Sequence, residues 1–173
     1  RIDGPDLVRT VAEKLAADYR FFPAPLVVAS AELRDALLGE DTVGETLRLA
    51  ERSDVALVGV GNVASGDSSL RVSGLLDEEE EAELLAGGVA GDITSCQFGA
   101  DGQPLPVAFN SRVIGIGPEA LRRIPTVIAV AAGPDKVGAI RAAARGKWFT
   151  VLVTDATTSK ELLARHEVRK EAS

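Results

Sequence analysis

The chain has 173 residues, 46% of them hydrophobic and 26% charged, proportions of a globular domain that exclude a disordered or fibrous chain. At this length one domain is expected, with enough chain to bury a core without disulfide or metal staples. Nineteen basic and 26 acidic side chains give a net charge of −7 with no Lys/Arg cluster, which excludes a duplex-binding surface. In chain order, residues 6–17 place Leu7, Val8, Val11 and Leu15 on one helical face, with Pro5 in the first turn. Phe21-Phe22-Pro23-Ala24-Pro25 is a stiff extended link, because proline fixes its own φ and keeps its predecessor out of the α region. Short helices are predicted over 31–38 and 43–51, broken near Gly39.

From Asp54 the pattern changes. Val55–Gly61 is a short, continuous apolar run of the kind found in parallel strands buried on both faces, and Thr126–Ala132 and Phe149–Val153 repeat it. Each run leads to a predicted helix: Asp77–Ala86, Asp135–Ala144 and Thr157–Arg165. This alternation predicts an α/β fold, with right-handed crossovers and a parallel, Rossmann-like sheet covered by helices on both faces. One section departs from the rhythm. Ile93–Phe98 and Val107–Ile116 are both β-prone and flank Asp101-Gly102, so a β-hairpin inserted into the α/β unit is expected there.

No run approaches the ~18 apolar residues of a membrane span, and Arg1-Ile2-Asp3-Gly4-Pro5 is neither a signal nor a transit peptide. A single cysteine, Cys96, excludes an internal disulfide, so a cytoplasmic location is expected. One cysteine and one histidine exclude a Cys/His zinc site within the chain, and neither a metal nor a cofactor is expected. His166, beside Arg165 and the polar tail, reads as a solvated helix-end residue. With no methionine the initiator is absent, which predicts a fragment or a processed chain.

In open parallel sheets, ligands bind beyond the carboxyl ends of the strands. Those ends here are Gly59-Val60-Gly61-Asn62, Ala132-Gly133-Pro134-Asp135-Lys136 and Thr154-Asp155-Ala156-Thr157. The second is the most informative. Gly133 lets a ligand approach the backbone, and a helix starting near Asp135 would aim free N–H groups at an anion. Lys136 adds a cation where the helix dipole disfavours one, which suggests a use; a solvated surface lysine is the alternative. Gly59 and Gly61 lack the third glycine of a dinucleotide fingerprint, so a close-packed turn is the plainer reading. Asp155 or Thr157 is expected to cap the last helix, and Asp77 with Glu80 has capping-box spacing. Asp101 is explained by its turn. Asp92, between a run of small residues and an apolar strand, is harder to assign to structure alone.

Taken in order, Gly59-Val60-Gly61, Gly74-Leu75-Leu76-Asp77-Glu78-Glu79, Gly88-Val89-Ala90-Gly91-Asp92-Ile93 and Phe98-Gly99-Ala100-Asp101-Gly102 form a recognisable set. Ile124–Lys136 and Val151-Leu152-Val153-Thr154-Asp155 complete it, with Phe22-Pro23-Ala24-Pro25 and Ser30-Ala31-Glu32-Leu33-Arg34 upstream. Over nearly its whole length the chain resembles the C-terminal effector-binding domain of the SorC/DeoR-type sugar-responsive transcriptional regulators. The resemblance implies a phosphosugar-isomerase-like fold, a single effector domain over residues 1–173, and a bound sugar phosphate that modulates DNA binding. It also implies that Gly59 and Gly61 line the site, Asp92 faces sugar hydroxyls, and Lys136 meets the charged or carbonyl end; Gly133, read from its own position, remains a ligand-binding candidate beside them. Arg71 or Arg112 is a further candidate for a phosphate contact. Self-association as a dimer or tetramer is implied too, with operator DNA bound only through an N-terminal helix-turn-helix domain that this chain lacks. Two more departures follow: the family's opening strand with its Gly/Thr phosphate loop is absent, and Ala132 stands where many relatives have glycine. The rival expectations are a sugar-phosphate isomerase or amino-sugar deaminase on the same fold, and a purely structural dimerisation module.

Overall fold

The computed structural model describes residues 4–64 and 68–170, the side chains of 165–170 excepted. The side chain of His166, in that last stretch, lies outside what is described. Three helices open the chain: α1 (Gly4–Leu15), α2 (Ala31–Leu38), capped by the Ser30 hydroxyl, which accepts from the Leu33 N–H, and α3 (Asp41–Glu51). Strand β1 (Val55–Gly59) follows, then the single turn α4 (Ser69–Val72) and α5 (Glu78–Ala86). The start of α5 is the expected capping box: the Asp77 carboxylate accepts from the Glu80 N–H, and Glu80 accepts from the Asp77 N–H. Next come β2 (Val89–Ile93), β3 (Cys96–Gly99), a 3₁₀ turn (Ala108–Arg112), α6 (Pro118–Arg123) and β4 (Thr126–Val130). A second 3₁₀ turn (Pro134–Lys136) leads into α7 (Val137–Arg145), and β5 (Val151–Val153) and α8 (Ala156–Lys170) complete the fold.

The expected parallel sheet is present, in the order β1-β4-β5, with Val55 opposite Thr126 and Ile128 opposite Val151. Its expected cover is only half there. Ala56, Val58, Val127, Ala129 and Leu152 face a core built from Ile140 and the alanines of α7, Leu121 of α6, Ile93 and Phe98 of the hairpin, and Trp148. The other face is open: Val55 is 55% exposed, Leu57 58% and Val153 51%. The strand order explains this. From β1 to β4 to β5 the chain steps one way across the sheet, and right-handed crossovers in one direction lay every connection on the same face. Covering both faces requires a reversal of strand order, and the described strands contain none. The apolar stripe of α1 is exposed as well, at Leu7, Val8, Val11 and Leu15. Among the described residues, no helix is long and apolar enough to cross a membrane.

The inserted hairpin also exists, but one strand earlier than expected. Strands β2 and β3 pair antiparallel around the two-residue turn Thr94-Ser95, with Asp92 opposite Gln97. Both turn residues have positive φ, 51° and 64°, the twist that a two-residue hairpin turn requires. The Asp101-Gly102 turn forms too. Asp101 Oδ1 accepts from the Gln103 N–H at 2.9 Å, and the Gly102 N–H donates to Gly99 O. Beyond it, however, the chain returns along β3 only for the Phe98–Pro104 bridge. The expected strand over Val107–Ile116 is instead a 3₁₀ turn and a single bridge from Val113 to Val27. Asn110 explains the substitution. Its amide accepts from the Gln97 N–H (2.7 Å) and donates to Gln97 O (2.9 Å), so this side chain, with the backbone of Gln103 and Leu105, satisfies the edge of β3 that a neighbouring strand would have used.

This hairpin is seated on α7. A Cβ on Gly91 would lie 2.7 Å from Ala139 Cβ, and the Gly102 backbone lies against Gly146 so closely that neither position has room for a side chain. Trp148, fully buried, donates from Nε1 to Gly102 O at 2.7 Å, packs on Phe98 and carries the Arg122 guanidinium over its ring. The helix that Lys136 leads into is therefore fastened along one side to the hairpin that holds Asp92.

Candidate functional site

Strand β1 does not end its pairing at Gly59. Gly61 forms an antiparallel bridge with Asp92: the Gly61 N–H donates to Asp92 O at 2.8 Å, and the Asp92 N–H donates back to Gly61 O. The Asp92 carboxyl then lies directly over the Gly61 Cα, where a Cβ would collide with it. That close approach is why glycine is needed at 61. Nothing comparable holds at Gly59, where an added Cβ meets no neighbour. The plain reading of the pair as a close-packed turn therefore applies to Gly61 and not to Gly59.

Asp92 is 8% exposed. Burial pushes its carboxyl up to about 6; the Lys136 ammonium and a hydrogen bond from the Ser95 N–H pull the other way. Lys136 ends the 3₁₀ turn and precedes α7, so its backbone sits where expected, at the start of the helix after β4. Its side chain turns back across the sheet end, and Nζ donates to Val60 O at 2.8 Å. Asp92 thus feels the Lys136 charge with no direct ion pair between the two. An ammonium has three N–H groups, and one is used here.

The anion cradle expected of the loop after β4 is differently arranged. Gly133, at φ 117°, has the glycine-only conformation that the approach argument needed. Its N–H is engaged, donating to Thr158 Oγ1 at 2.8 Å and to Asp155 Oδ2 at 3.2 Å. The Lys136 N–H donates to Gly133 O and the Val137 N–H to Pro134 O. Of the cradle, the ammonium is what faces the strand ends. Asp155 caps α8 as expected, Oδ1 accepting from the N–H groups of Thr157 and Thr158. The Thr158 hydroxyl, followed by those backbone donors, holds the Asp155 carboxyl below its ordinary range.

The structure therefore brings Gly61, Asp92, Gly133 and Lys136 together at the carboxyl ends of β1 and β4, with Gly59 one step back. It places Arg71 and Arg112 elsewhere. Arg71 on α4 forms ion pairs with Glu78 (2.9 Å) and Glu81 of α5. Arg112 pairs with Glu80, donates to Val28 O and lies over the Phe109 ring. Arg112 borders a cleft with Glu80, Glu83 and Phe109, and a second cleft runs between α7 and α8 past Arg141 and Glu161; neither is lined by Asp92 or Lys136. Two residues that support the site escape a reading of the sequence alone. Asn62 donates from Nδ2 to Asp135 O at 2.7 Å, fastening the Lys136 loop to the end of β1. Thr158 fastens the same loop from the side of α8. Asn62 directly follows Gly61, and Thr158 stands at the capping-box position after Asp155, the one local signal available for each. Among the described residues, no group of three or more His, Cys, Asp or Glu is arranged to hold a metal ion.

The same elements recur in known proteins. The family model described as "Putative sugar-binding domain" matches residues 3–164. The transcriptional regulator LsrR of Klebsiella pneumoniae is 34% identical over 151 residues, 86% of this chain and 47% of that protein. A DeoR family transcriptional regulator from Listeria monocytogenes superposes with a TM-score of 0.84 at 30% identity, covering 89% of this chain and 62% of that one. The full-length sorbitol operon regulator SorC from Klebsiella pneumoniae superposes at 0.80 with 28% identity, over 90% of this chain and 50% of that one. The chain spans about half the length of the curated relatives it matches. It belongs to the sugar-binding domain family of the SorC/DeoR-type transcriptional regulators.

Proposed function

We propose that this chain is the effector-sensing domain of a sugar-responsive transcriptional regulator and that it binds a phosphorylated sugar, without turning it over, at the carboxyl ends of β1 and β4. The observation that carries this reading is the pairing of a buried carboxyl with an ammonium that faces it but is not consumed by it. Asp92 accepts from a sugar hydroxyl, Lys136 donates its remaining N–H groups to a phosphate or carbonyl oxygen, and Gly61 keeps the space above its Cα open for the Asp92 carboxyl. Operator DNA is met by a separate domain, since these residues carry −7 charge. Two-fold self-association in the cytoplasm completes the reading.

One observation favours the rival. A carboxyl with a pKa of about 6 is suited to general base work near neutral pH, as an isomerase would need. A thermal-shift panel of aldose and ketose phosphates, followed by a turnover assay on each hit, separates the two. Binding without turnover is the expected result; conversion of any bound sugar phosphate overturns the sensor reading in favour of the enzyme. Within the binding result, Lys136→Ala should weaken affinity roughly tenfold to a hundredfold, the worth of a charge-assisted contact of ~1.5–3 kcal/mol. Unchanged affinity returns Lys136 to a solvated lysine and removes the site from this position.

A further inference from the structure

Asp155 does more than cap α8. A cap needs one acceptor, and Oδ1 supplies it to the N–H groups of Thr157 and Thr158. Oδ2 is used otherwise: the Thr158 hydroxyl donates to it at 2.7 Å and in turn accepts the Gly133 N–H at 2.8 Å, the shorter of that N–H's two bonds, the other being to Oδ2 itself at 3.2 Å. Thr158 has 0% exposure, so its hydroxyl has no water to fall back on. A hydroxyl can donate once and accept as well, and here both capacities point along a single line from α8 to the loop after β4.

That line continues. Gly133 is held at φ 117°, its carbonyl accepts the Lys136 N–H at 3.1 Å, and the turn so closed sends the Lys136 ammonium to Val60 O. Asn62 holds the same turn from the opposite side. We infer that Thr158, which makes no hydrogen bond to Lys136 or Asp92, is the positioning residue of the site: through Gly133 it fixes the turn that keeps the Lys136 ammonium at the end of β1, within reach of Asp92. The inference rests on Lys136 and Asp92 forming one site, as proposed above.

The test reads that geometry with no ligand present. The ammonium draws the Asp92 carboxyl down, so displacing it must raise the Asp92 titration. Carbon-13 carboxyl NMR across pH 4–8 would follow Asp92 in the whole chain and in Lys136→Gln, Thr158→Val and Thr158→Ser. In Lys136→Gln the midpoint should rise, which sets the scale. Thr158→Val keeps the shape and removes the hydroxyl; it should produce at least half of that rise, and Thr158→Ser should restore the original midpoint. A merely structural threonine would lower the melting temperature and leave the midpoint in place, and that result overturns the inference. If Lys136→Gln itself leaves the midpoint unchanged, the pairing of Lys136 with Asp92 fails first, a distinguishable outcome. Hydrogen exchange of the Gly133 amide in the unmodified chain is the second measurement, independent of any variant's folding. Strong protection is expected, and exchange at the rate of an open loop overturns the inference.

Discussion

Asp92→Asn tests the electrostatics of the site through stability, where burial of the carboxyl fixes the sign and sets the scale. In the fold the carboxyl titrates at about 6; in the unfolded chain it returns to its ordinary 3.8. Between these values the folded state keeps a proton that the unfolded state has released, so stability falls as pH rises through the window. Below 3.8 both states are protonated and nothing is lost. Above 6 both are ionised and the whole cost is present, about 3 kcal/mol for a difference of roughly two pH units at 1.36 kcal/mol each. The amide that replaces the carboxyl does not titrate, and its oxygen still accepts from the Ser95 N–H. The variant should therefore match the parent near pH 4 and exceed it by up to ~3 kcal/mol at pH 7.5. Urea melts of both proteins at half-unit steps from pH 4 to 7.5 measure the difference, in which the other carboxylates, common to both, cancel. A stability gap that does not widen with pH refutes the reasoning, because Asp92 would then not be a carboxyl charged at a cost. The same substitution should weaken binding of any sugar phosphate the parent binds, since an amide is a poorer acceptor for a hydroxyl.

Further predictions concern packing. Gly61→Ala places a methyl group where the Asp92 carboxyl lies, so it should cost ~1–3 kcal/mol in a urea melt and reduce sugar-phosphate binding. Gly59→Ala, with open space around its Cβ, should stay within about 0.5 kcal/mol of the parent; equal effects at 59 and 61 would contradict the geometry. Trp148→Phe leaves Gly102 O buried without its donor and removes part of the ring that carries Arg122, which predicts a loss of ~2–4 kcal/mol by chemical denaturation. A loss below ~1 kcal/mol would mean that the turn at 99–103 is not anchored through this residue.

The elements were legible where periodicity alone decides them. The runs at 55–59, 126–130 and 151–153 could be read as strands because they are apolar, short and bounded, and α2 and α5 carry their caps in the sequence. The hairpin was misplaced because its signal was misplaced. Asp101-Gly102 has turn chemistry and does turn, yet the tight hairpin uses Thr94-Ser95, two residues that rarely take positive φ. Nothing local marks that pair. What holds it is a mixture of local and distant contacts: Thr94 Oγ1 donates to the adjacent Ile93 O and reaches Ile116 O, and the Ser95 N–H serves the Asp92 carboxyl three residues back. Likewise the β-prone run at 107–116 reads locally as a strand, but the edge of β3 is taken by the Asn110 side chain and the backbone of Gln103 and Leu105 instead.

The site divides along the same line. Position was legible: residues beyond the carboxyl ends of parallel strands are where ligands sit, and that rule alone selects Gly61, Gly133 and Lys136. Partnership was not. The rule assigned the free N–H groups of the Gly133 loop to an anion, whereas the structure spends them on Thr158, Asp155 and the turn itself. It left Lys136 as a generic cation, whereas the side chain reaches back to the carbonyl of Val60, 76 positions earlier in the chain. Arg71 and Arg112 were selected for charge, and the structure pairs each with a glutamate of α5. They are engaged because α5 opens with four successive glutamates, Glu78 to Glu81, three of which pair with them. A cation stays available where the carboxyl facing it is buried, raised toward neutrality and kept from direct contact. That condition separates Lys136 from Arg71 and Arg112, and it is met because Asp92 is held in place from another strand.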